Sequence, residues 1–232
     1  MAVLVTDEVS QANRCWACGN NPGAEHFCPR CGKIQPLSGP GDYFVFLGIP
    51  ARLGLDEKKL QENFYSLSRK FHPDYFQTRS AEEKAFSLDR TSFLNKSYQT
   101  LRDPEKRALY LFELEGLRPD REARTSPELL EEVFEIQELA AGLPESGDSA
   151  GTARKTVEAR KRFENRLDGI AARMKELFAE WDASIEKEGP LEPLAGKREA
   201  VAREVRNLIH DRNYIEGTLQ AMETSRSKPE RR

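Results

Sequence analysis

The chain after position 41 repeats its apolar residues with the period of an α-helix almost throughout. Between Asp56 and His72 the apolar residues follow spacings of four, three and four, which places them on one helical face; they are Leu60, Phe64, Leu67 and Phe71. The opposite face is basic and carries Lys58, Lys59, Arg69 and Lys70. Asp56 is a suitable N-cap, and the helix ends at His72 because a residue before proline avoids the helical conformation.

Three further helices complete this first helical region. A short one precedes the basic helix, and Ser80 with Glu83 forms a capping box for a longer one. The buried side of that longer helix is predicted to comprise Phe86, Phe93, Leu94, Tyr98 and Leu101. Asp103-Pro104 then places a cap beside a proline at the first position of a fourth helix. The pattern predicts one compact domain over residues 42–118.

A second helical region begins at Ser126-Pro127, again a cap followed by a first-turn proline. Two long helices follow, with apolar residues at alternating spacings of four and three. On one they are Phe163, Leu167, Ile170, Met174, Leu177 and Trp181; on the other, where Arg212 interrupts the pattern, they are Val201, Val205, Leu208, Ile215, Leu219 and Met222. Such stripes predict antiparallel packing at about +20° and a three-helix bundle over 126–223. Residues 1–13 are predicted to be flexible and 224–232 a disordered tail.

All four cysteines lie in one short segment with the spacing C-x2-C-x9-C-x2-C; they are Cys15, Cys18, Cys28 and Cys31. Two such pairs suit tetrahedral zinc, because each pair presents two thiolates from one tight turn. A disulfide pair, a redox dithiol and an iron centre are the alternatives. Four protein ligands leave no open position for water, so one structural zinc ion is predicted. Nearby His26 is then interpreted as a bystander.

The cysteine segment has two further features. Gly19 and Gly32 each follow a second cysteine, where close approach of the backbone to sulfur favours a residue without Cβ. Residues 36–41 form a linker of proline, glycine and serine that separates a zinc module over 14–36 from the helices. The expected fold is therefore all-α, with a small tetracysteine zinc module ahead of two helical domains.

Composition narrows the function classes. The chain has 232 residues with 36 Lys and Arg against 39 Asp and Glu, a net charge of −3. Its pI near 5.8 argues against a dedicated nucleic-acid binder, whose domain pI usually exceeds about 9. No apolar run approaches the ~20 residues of a membrane span, and no signal or transit peptide is recognised at the N-terminus. A cytoplasmic protein is predicted, or a mitochondrial matrix protein if the chain is a processed form.

The tripeptide His72-Pro73-Asp74, between two helices of which the first has a basic outer face, resembles the signature of a J-domain. The chain more specifically resembles the HscB family of J-type co-chaperones in iron–sulfur cluster assembly. The similar features are Asp42-Tyr43-Phe44, the form His-Pro-Asp-x-Phe ending at Phe76, the helical C-terminal region and the four-cysteine segment. The resemblance implies a J-domain helical hairpin followed by a C-terminal three-helix bundle.

This resemblance implies a first partner, an ATP-driven chaperone of the DnaK or HscA type whose ATPase the J-domain stimulates. The residues implied in chaperone binding are His72, Pro73, Asp74, Lys58, Lys59, Arg69 and Lys70. A patch of one sign on an acidic protein independently suits steering toward an acidic surface. The alternative is an ordinary solvated helix face. No Ser, Cys or second His accompanies His72 locally, so the chain is not expected to be an enzyme.

The second implied partner is the iron–sulfur cluster scaffold protein, held by the C-terminal bundle. The family pattern places its contacts at Leu130, Phe134, Glu135 and Glu138, with His210 or, one turn later, Tyr214 on the final helix. The apolar side of the Ser126 helix is wider than one stripe, as expected if one edge packs inward and another faces a partner. Ordinary bundle core is the alternative for each of these apolar residues.

The main hypothesis is therefore a non-enzymatic co-chaperone that delivers the scaffold to its ATPase. A general J-domain co-chaperone with a different client is the first alternative. A zinc-dependent nucleic-acid or regulatory protein and a dithiol oxidoreductase are the others. Neither nucleic acid nor membrane is expected as a partner, and a homodimer is a further hypothesis.

Overall fold

The computed structural model describes residues 14–23, 25–37, 41–117, 125–141, 149–188 and 196–226. Over these residues it has seven α-helices: α1 (Tyr43–Leu47), α2 (Glu57–Phe71), α3 (Ala81–Arg102), α4 (Pro104–Leu114), α5 (Pro127–Ala141), α6 (Ser149–Glu188) and α7 (Gly196–Arg226). A 3-10 helix, Pro73–Phe76, follows α2. The only extended pairing in these ranges is a bridge between Phe27 and Ile34. The all-α prediction is confirmed.

The predicted flexible N-terminus lies outside the described residues, as does most of the predicted tail. Helix α7 continues to Arg226, three residues into the segment predicted as tail. No described helix is both long and apolar enough to cross a membrane.

The helix starts follow the capping residues that the sequence indicates. Asp56 accepts from the Lys59 amide, and Ser80 and Glu83 form the reciprocal capping box. Asp103 accepts from the amides at the start of α4, and the Ser126 hydroxyl accepts from the Leu129 amide at 3.2 Å. Because a cap satisfies amides that have no partner within the helix, each of these residues fixes where its helix begins.

The described residues form two compact units, and the division falls inside α4. The first unit comprises the cysteine segment, α1 to α3 and the start of α4, up to Lys106. Its core is built from apolar residues of the three helices: Phe44, Leu47, Leu60, Leu67, Phe71, Leu94 and Leu101. The basic face of α2 lies opposite its buried stripe, as the pattern predicts.

Helix α3 buries a different side from the one its aromatic residues predict. The buried residues are Glu83, Ser87, Arg90, Leu94, Ser97 and Leu101, whereas Phe86, Phe93 and Tyr98 are half-buried. Their spacing of four, three, four, three and four is that of one helical stripe. Polar residues can occupy this stripe because they find acceptors: Ser87 donates to the Phe71 carbonyl and Arg90 to the Gln35 carbonyl, both at 2.7 Å.

The second unit comprises residues from Arg107 onward and the short segment Arg52–Gly54. Helices α5, α6 and α7 pack against one another as the predicted three-helix bundle. On α6 the buried residues match the predicted stripe, with Phe163, Ile170, Met174, Leu177 and Trp181 in the core. On α7 the stripe is offset, because Ala202, Ile209 and Thr218 are buried while Val201, Leu208 and Leu219 are half-buried.

The segment Arg52–Gly54 belongs to the second unit through side-chain caps on its backbone. Asp182 of α6 accepts from the amides of Leu53 and Gly54 at 2.8 and 2.6 Å, and Arg107 donates to the Leu53 carbonyl at 2.9 Å. A Cβ at Gly54 would lie 2.8 Å from the Asp182 carboxylate, so a side chain there would displace the carboxylate that caps this segment. Burial raises the pKa of Asp182, although both amides lower it. The fourth helix of the predicted 42–118 domain is thus shared between the two units.

Candidate functional site

The His-Pro-Asp loop projects its two polar side chains into solvent. The side chains of His72 and Asp74 are 52% and 71% exposed. The His72 ring accepts from the Asp74 amide at 3.3 Å, and its Nδ1 lies 3.5 Å from the Asp74 carboxylate. Phe76 is buried and anchors the far end of the 3-10 turn. The loop therefore has a defined conformation but leaves the His72 imidazole accessible to a partner.

The four basic residues that the sequence singles out on α2 are all exposed. Lys58 and Arg69 are 11 residues apart, close to three helical turns, so they lie on the same side; Lys59 and Lys70 are related in the same way. In the described part of the chain no carboxylate lies within 4.0 Å of their side-chain nitrogens. The structure thus places four exposed cations without close ion-pair partners along α2, which also carries exposed Glu57 and Glu62.

The four cysteine sulfurs form one cluster, with every Sγ within 4.8 Å of the others. The Cys15–Cys31 and Cys18–Cys28 separations are both 3.7 Å. Tetrahedral zinc with Zn–S bonds of about 2.3 Å places its sulfurs about 3.8 Å apart, whereas a disulfide needs about 2.05 Å. All four cysteines are free thiols. The donor set and its geometry therefore fit a four-thiolate metal site.

Each cysteine pair lies on a tight turn that ends in a glycine. The amide of Gly19 donates to the Cys15 carbonyl at 2.9 Å, and that of Gly32 to the Cys28 carbonyl at 2.8 Å. The φ angles are +71° at Gly19 and +67° at Gly32, and a Cβ at either position would meet no atom of a residue beyond the two chain neighbours within 4 Å. Left-handed backbone, which glycine adopts without strain, is the reason for these glycines.

The electrostatics of the cluster favour thiolate at two ligands, Cys15 and Cys28. Burial raises the pKa of the Cys28 thiol, but hydrogen bonds from the backbone at Cys31 and Arg30 outweigh it and lower that pKa. Burial raises the pKa of the Cys15 thiol, but hydrogen bonds from the backbone at Ala17 and Cys18 and from Gln35 outweigh it and lower the pKa to about 6. The backbone at Lys33 lowers the pKa of Cys31, yet burial and the neighbouring sulfurs raise it to about 12. Since metals bind thiolate rather than thiol, a cation would be needed to hold all four sulfurs deprotonated together.

The cysteine segment packs against the helices of the first unit, which the linker composition does not predict. Arg90 of α3 donates to the carbonyls of Gln35 and Pro36, and its guanidinium lies 2.7 Å from the His26 ring. Lys33 pairs with buried Glu83 at 2.7 Å. His26 is not part of the cysteine cluster, but it is a packing residue between the cysteine segment and the helices. Its ring lies against Phe46 and Phe71, and burial, followed by the charge of Arg90, lowers its pKa to about 4.

The helix α5 presents apolar residues on two sides. Leu129, Val133 and Ile136 are buried in the bundle, whereas Leu130 and Phe134 are 36% and 62% exposed. Leu130 and Phe134 are four residues apart and therefore adjacent on the helix surface. Glu135 and Glu138 are exposed on the same helix. The bundle-core alternative is thus wrong for Phe134, whereas the neighbouring Val133 and Ile136 do lie in the bundle core.

The two candidate residues on α7 differ in exposure. His210 is exposed, and Tyr214 one turn later is half-buried. Their spacing of four puts them on one side of α7. Both stay predictions as contacts of a scaffold protein.

Among known proteins, the DnaJ-domain family model matches residues 42–110. The human iron–sulfur cluster co-chaperone protein HscB is 38% identical over 148 residues, covering 60% of this chain and 63% of that protein. The mouse protein of the same name is 36% identical over 138 residues, covering 57% and 59%. The chain thus spans about three fifths of the length of these curated relatives.

Two solved structures are similar in fold. The crystal structure of human co-chaperone protein HscB has a TM-score of 0.61 and 29% identity, covering 90% of this chain and 98% of that one. The chaperone HscB from Vibrio cholerae has a TM-score of 0.51 at 22% identity and bears on the fold alone. A J-domain with an exposed His-Pro-Asp loop, the helical bundle and these relatives agree with one another. Residues 42–110 match the DnaJ-domain family, and the chain as a whole is similar in sequence and fold to the HscB co-chaperones.

Proposed function

We propose that this protein is a co-chaperone that stimulates the ATPase of a DnaK- or HscA-type chaperone and delivers an iron–sulfur cluster scaffold protein to it. The observation that carries the proposal is the accessible His-Pro-Asp loop at the end of a helix with an exposed basic face, in a chain similar to HscB. In this role the protein has no reaction of its own. It binds two partners, and the chaperone performs the chemistry.

The chaperone arm of the proposal rests on charge and on the loop. Lys58, Lys59, Arg69 and Lys70 would steer α2 toward an acidic surface, because a patch of one sign raises the rate of encounter. His72 and Asp74 would then make the specific contact, since both side chains are exposed and their backbone is fixed. This division assigns the association rate to the helix and the ATPase effect to the loop.

The scaffold arm rests on the exposed apolar pair of α5. Large apolar side chains exposed side by side are candidates for interface anchors, and a polar rim around them is typical of such sites. Leu130 and Phe134 supply the anchors, and Glu135 and Glu138 supply acidic rim residues. His210 and Tyr214 of α7 would add contacts on the same client. The complementary surface would be apolar with basic residues around it.

We further propose that the four cysteines hold one structural zinc ion. The 3.7 Å sulfur separations support it, because they match the edge of a zinc–sulfur tetrahedron. When bound, the ion fastens the two turns together and leaves no position for a substrate. Metal analysis of the purified chain should give one zinc per molecule, and Cys15→Ser should lose it. His26→Gln is the matched control and should keep the zinc; its loss there would make His26 a ligand instead.

Co-purification from the host lysate tests the two-partner function. Wild-type protein used as bait should retain both an ATP-driven chaperone and the cluster scaffold, identified by mass spectrometry. Retention of the chaperone with a different client would favour the general J-domain co-chaperone. Recovery of neither partner, from a bait that stimulates no ATPase with purified chaperone, would contradict the function altogether.

A further inference from the structure

The polar residue Arg90 joins the cysteine segment to α3. Its Nε donates to the Gln35 carbonyl at 2.7 Å, and one terminal nitrogen donates to the Pro36 carbonyl at 3.1 Å. The other terminal nitrogen lies 2.7 Å from Nδ1 of His26. One guanidinium on α3 thus binds three acceptors of the segment, and the fixed fork of arginine suits such an arrangement.

Arg90 depends on the cysteine segment for its hydrogen bonds. The residue is 5% exposed, and burial lowers its pKa to about 10, so it stays charged at neutral pH. A buried charge without acceptors is strongly unfavourable. If the segment lost its structure, the guanidinium would have to move to reach water, and the side chains packed on it would move too.

The acceptors of Arg90 are built on the second cysteine turn. The Cys28 amide donates to the Lys33 carbonyl at 2.9 Å, and the Gln35 amide donates to the His26 carbonyl at 3.0 Å. The side chain of Gln35 also donates to Cys15 Sγ at 3.4 Å. This small hairpin sets His26 beside Gln35, so its geometry depends on the turn that carries Cys28 and Cys31. A metal that holds the cysteines together would therefore also hold the Arg90 acceptors together.

The same contacts hold the residue immediately before the His-Pro-Asp loop. The ring of Phe71 lies 5.0 Å from that of His26 and 6.0 Å from that of Phe27, between ring centroids. The Arg90 guanidinium carbon lies 5.6 Å from the Phe71 centroid, within the range of cation–π attraction. The Phe71 carbonyl accepts from the hydroxyls of Ser87 and Thr91. Phe71 is therefore fixed by α3 on its backbone and by the cysteine segment on its ring.

We propose that the tetracysteine module clamps the start of the His-Pro-Asp loop, with Arg90 as the positioning residue that transmits the module's fold to Phe71 and His72. Metal loss then loosens the loop while the J-domain helices stay folded. This inference deepens the proposed function and rests on it only for its ATPase readout. The loop's order is a property of this chain alone and can be measured without any partner.

The decisive experiment compares amide hydrogen exchange in the full-length chain, with zinc and after chelation, in wild type and Arg90→Lys. Lysine keeps the charge but lacks the fork that reaches three acceptors. In wild type, chelation should speed amide exchange at Asp74, Tyr75 and Gln77 by about tenfold or more, because the hydrogen bonds that these amides donate close the loop. Zinc-loaded Arg90→Lys should already exchange as fast there, and chelation should add little, since both changes break one connection.

A matched control is Arg102→Lys, the same substitution at an exposed position of α3. It should leave loop exchange and its response to chelation at wild-type values. If Arg90→Lys lowers helical circular dichroism, His26→Phe replaces it, because phenylalanine keeps the ring against Phe46 and Phe71 but removes the acceptor. Loop exchange that is unchanged by chelation, or that responds equally in wild type and Arg90→Lys, would overturn the clamp.

The ATPase readout separates positioning from binding. Arg90→Lys should lower the maximal stimulation of the chaperone several-fold, with less than about a twofold change in the half-saturating concentration, because the basic face of α2 is untouched. An equal change in both would contradict a positioning role. If wild type itself gave no stimulation, the proposed function would fail, whereas the exchange data would still decide the clamp.

Discussion

The two candidate binding surfaces differ in the chemistry of their exposed residues, which are mainly cationic on α2 and partly apolar on α5. On α2 the stripe of Leu60, Leu67 and Phe71 is buried, and Tyr65 is the one exposed large apolar residue of this helix. The rest of its surface offers four cations, Lys58, Lys59, Arg69 and Lys70. On α5 three apolar residues satisfy the core, and two more, Leu130 and Phe134, remain exposed. Exposed cations are ordinary on any soluble helix, whereas adjacent exposed apolar residues are not. The α5 surface therefore carries more information about binding, and the α2 surface gains its meaning from the neighbouring loop.

This difference implies different kinds of complex. Charge in solvent increases the association rate and is screened by salt, so a surface like that of α2 suits brief, repeated encounters. Buried apolar anchors act mainly on the dissociation rate and suit a longer-lived complex. A co-chaperone that carries a client to an ATPase would need both: retention of the client and turnover on the chaperone.

The largest expected effect is the loss of ATPase stimulation in His72→Gln. The side chain is exposed and contacts only its own loop, so the fold and scaffold binding should be intact. Stimulation in single-turnover ATP hydrolysis should fall by roughly tenfold or more, since the residue lies at the specific contact. His210→Gln, the same change at an exposed histidine of α7, is the control and should stimulate normally without scaffold. Full stimulation by His72→Gln would show that the His72 side chain is not needed to stimulate the chaperone ATPase.

The next effect is on scaffold affinity in the double variant Leu130→Ala/Phe134→Ala. Anchors at an interface centre contribute about 2 kcal/mol each, so Kd should rise by roughly a hundredfold or more. The melting temperature should change little because both side chains are exposed. Calorimetric titration with scaffold, beside thermal unfolding, measures the two quantities.

Leu129→Ala is the matched control for that pair. Leu129 is fully buried next to Leu130, so its truncation should cost about 2–5 kcal/mol of stability. Below its melting temperature it should bind scaffold with near wild-type affinity. Unchanged affinity in a stable Leu130→Ala/Phe134→Ala protein would favour the general J-domain co-chaperone.

A smaller effect is expected from charge reversal on α2. Lys58→Glu/Arg69→Glu alters two residues on one side of the helix and should lower the association rate with the chaperone about tenfold at low salt. The deficit should shrink as salt rises, because the charges are exposed and screened. Stopped-flow binding at several salt concentrations measures it, with Lys96→Glu on α3 as the control. A deficit that does not depend on salt would show that the helix contributes something other than steering.

The smallest effect is expected from Glu135→Lys/Glu138→Lys. Both residues are exposed on α5, and rim charges steer more than they hold, so scaffold affinity should weaken about three- to tenfold. The change should lie mainly in the association rate and should diminish with salt, as surface plasmon resonance would reveal. Asp168→Lys, at an exposed position of α6, is the control. A larger loss of scaffold affinity than in Leu130→Ala/Phe134→Ala would show that charge, rather than apolar contact, dominates scaffold binding on α5.

Local signals in the sequence were enough for most of the fold. The caps at Asp56, Ser80 and Asp103 follow from short-range chemistry, and the structure places helix starts beside them. The cysteine cluster follows from spacing alone. The offset between the predicted and the observed buried stripe of α7 was harder to predict, because over many turns two neighbouring apolar stripes satisfy the same alternation of three and four residues.

Long-range polar contacts could not be predicted from local patterns. Arg90 binds partners 55 and 64 residues away, and its charge argues against burial when only the local sequence is considered. The spacing of Glu83, Ser87, Arg90, Leu94 and Ser97 is that of one helical stripe and was a signal of burial. Because most of these residues are polar, the aromatic residues of α3 were predicted as its buried side instead. Likewise, the close approach of a carboxylate to Gly54 comes from Asp182, which is 128 residues away.

Single-turnover ATP hydrolysis by the chaperone, titrated with this protein and with a scaffold pull-down run in parallel, tests most directly whether the two functions lie on two surfaces. If they do, His72→Gln should retain the scaffold but stimulate no hydrolysis. Leu130→Ala/Phe134→Ala should stimulate hydrolysis like wild type in the absence of scaffold but should no longer retain the scaffold. Loss of both activities in either stable variant would contradict the account, because it would mean that one surface serves both partners.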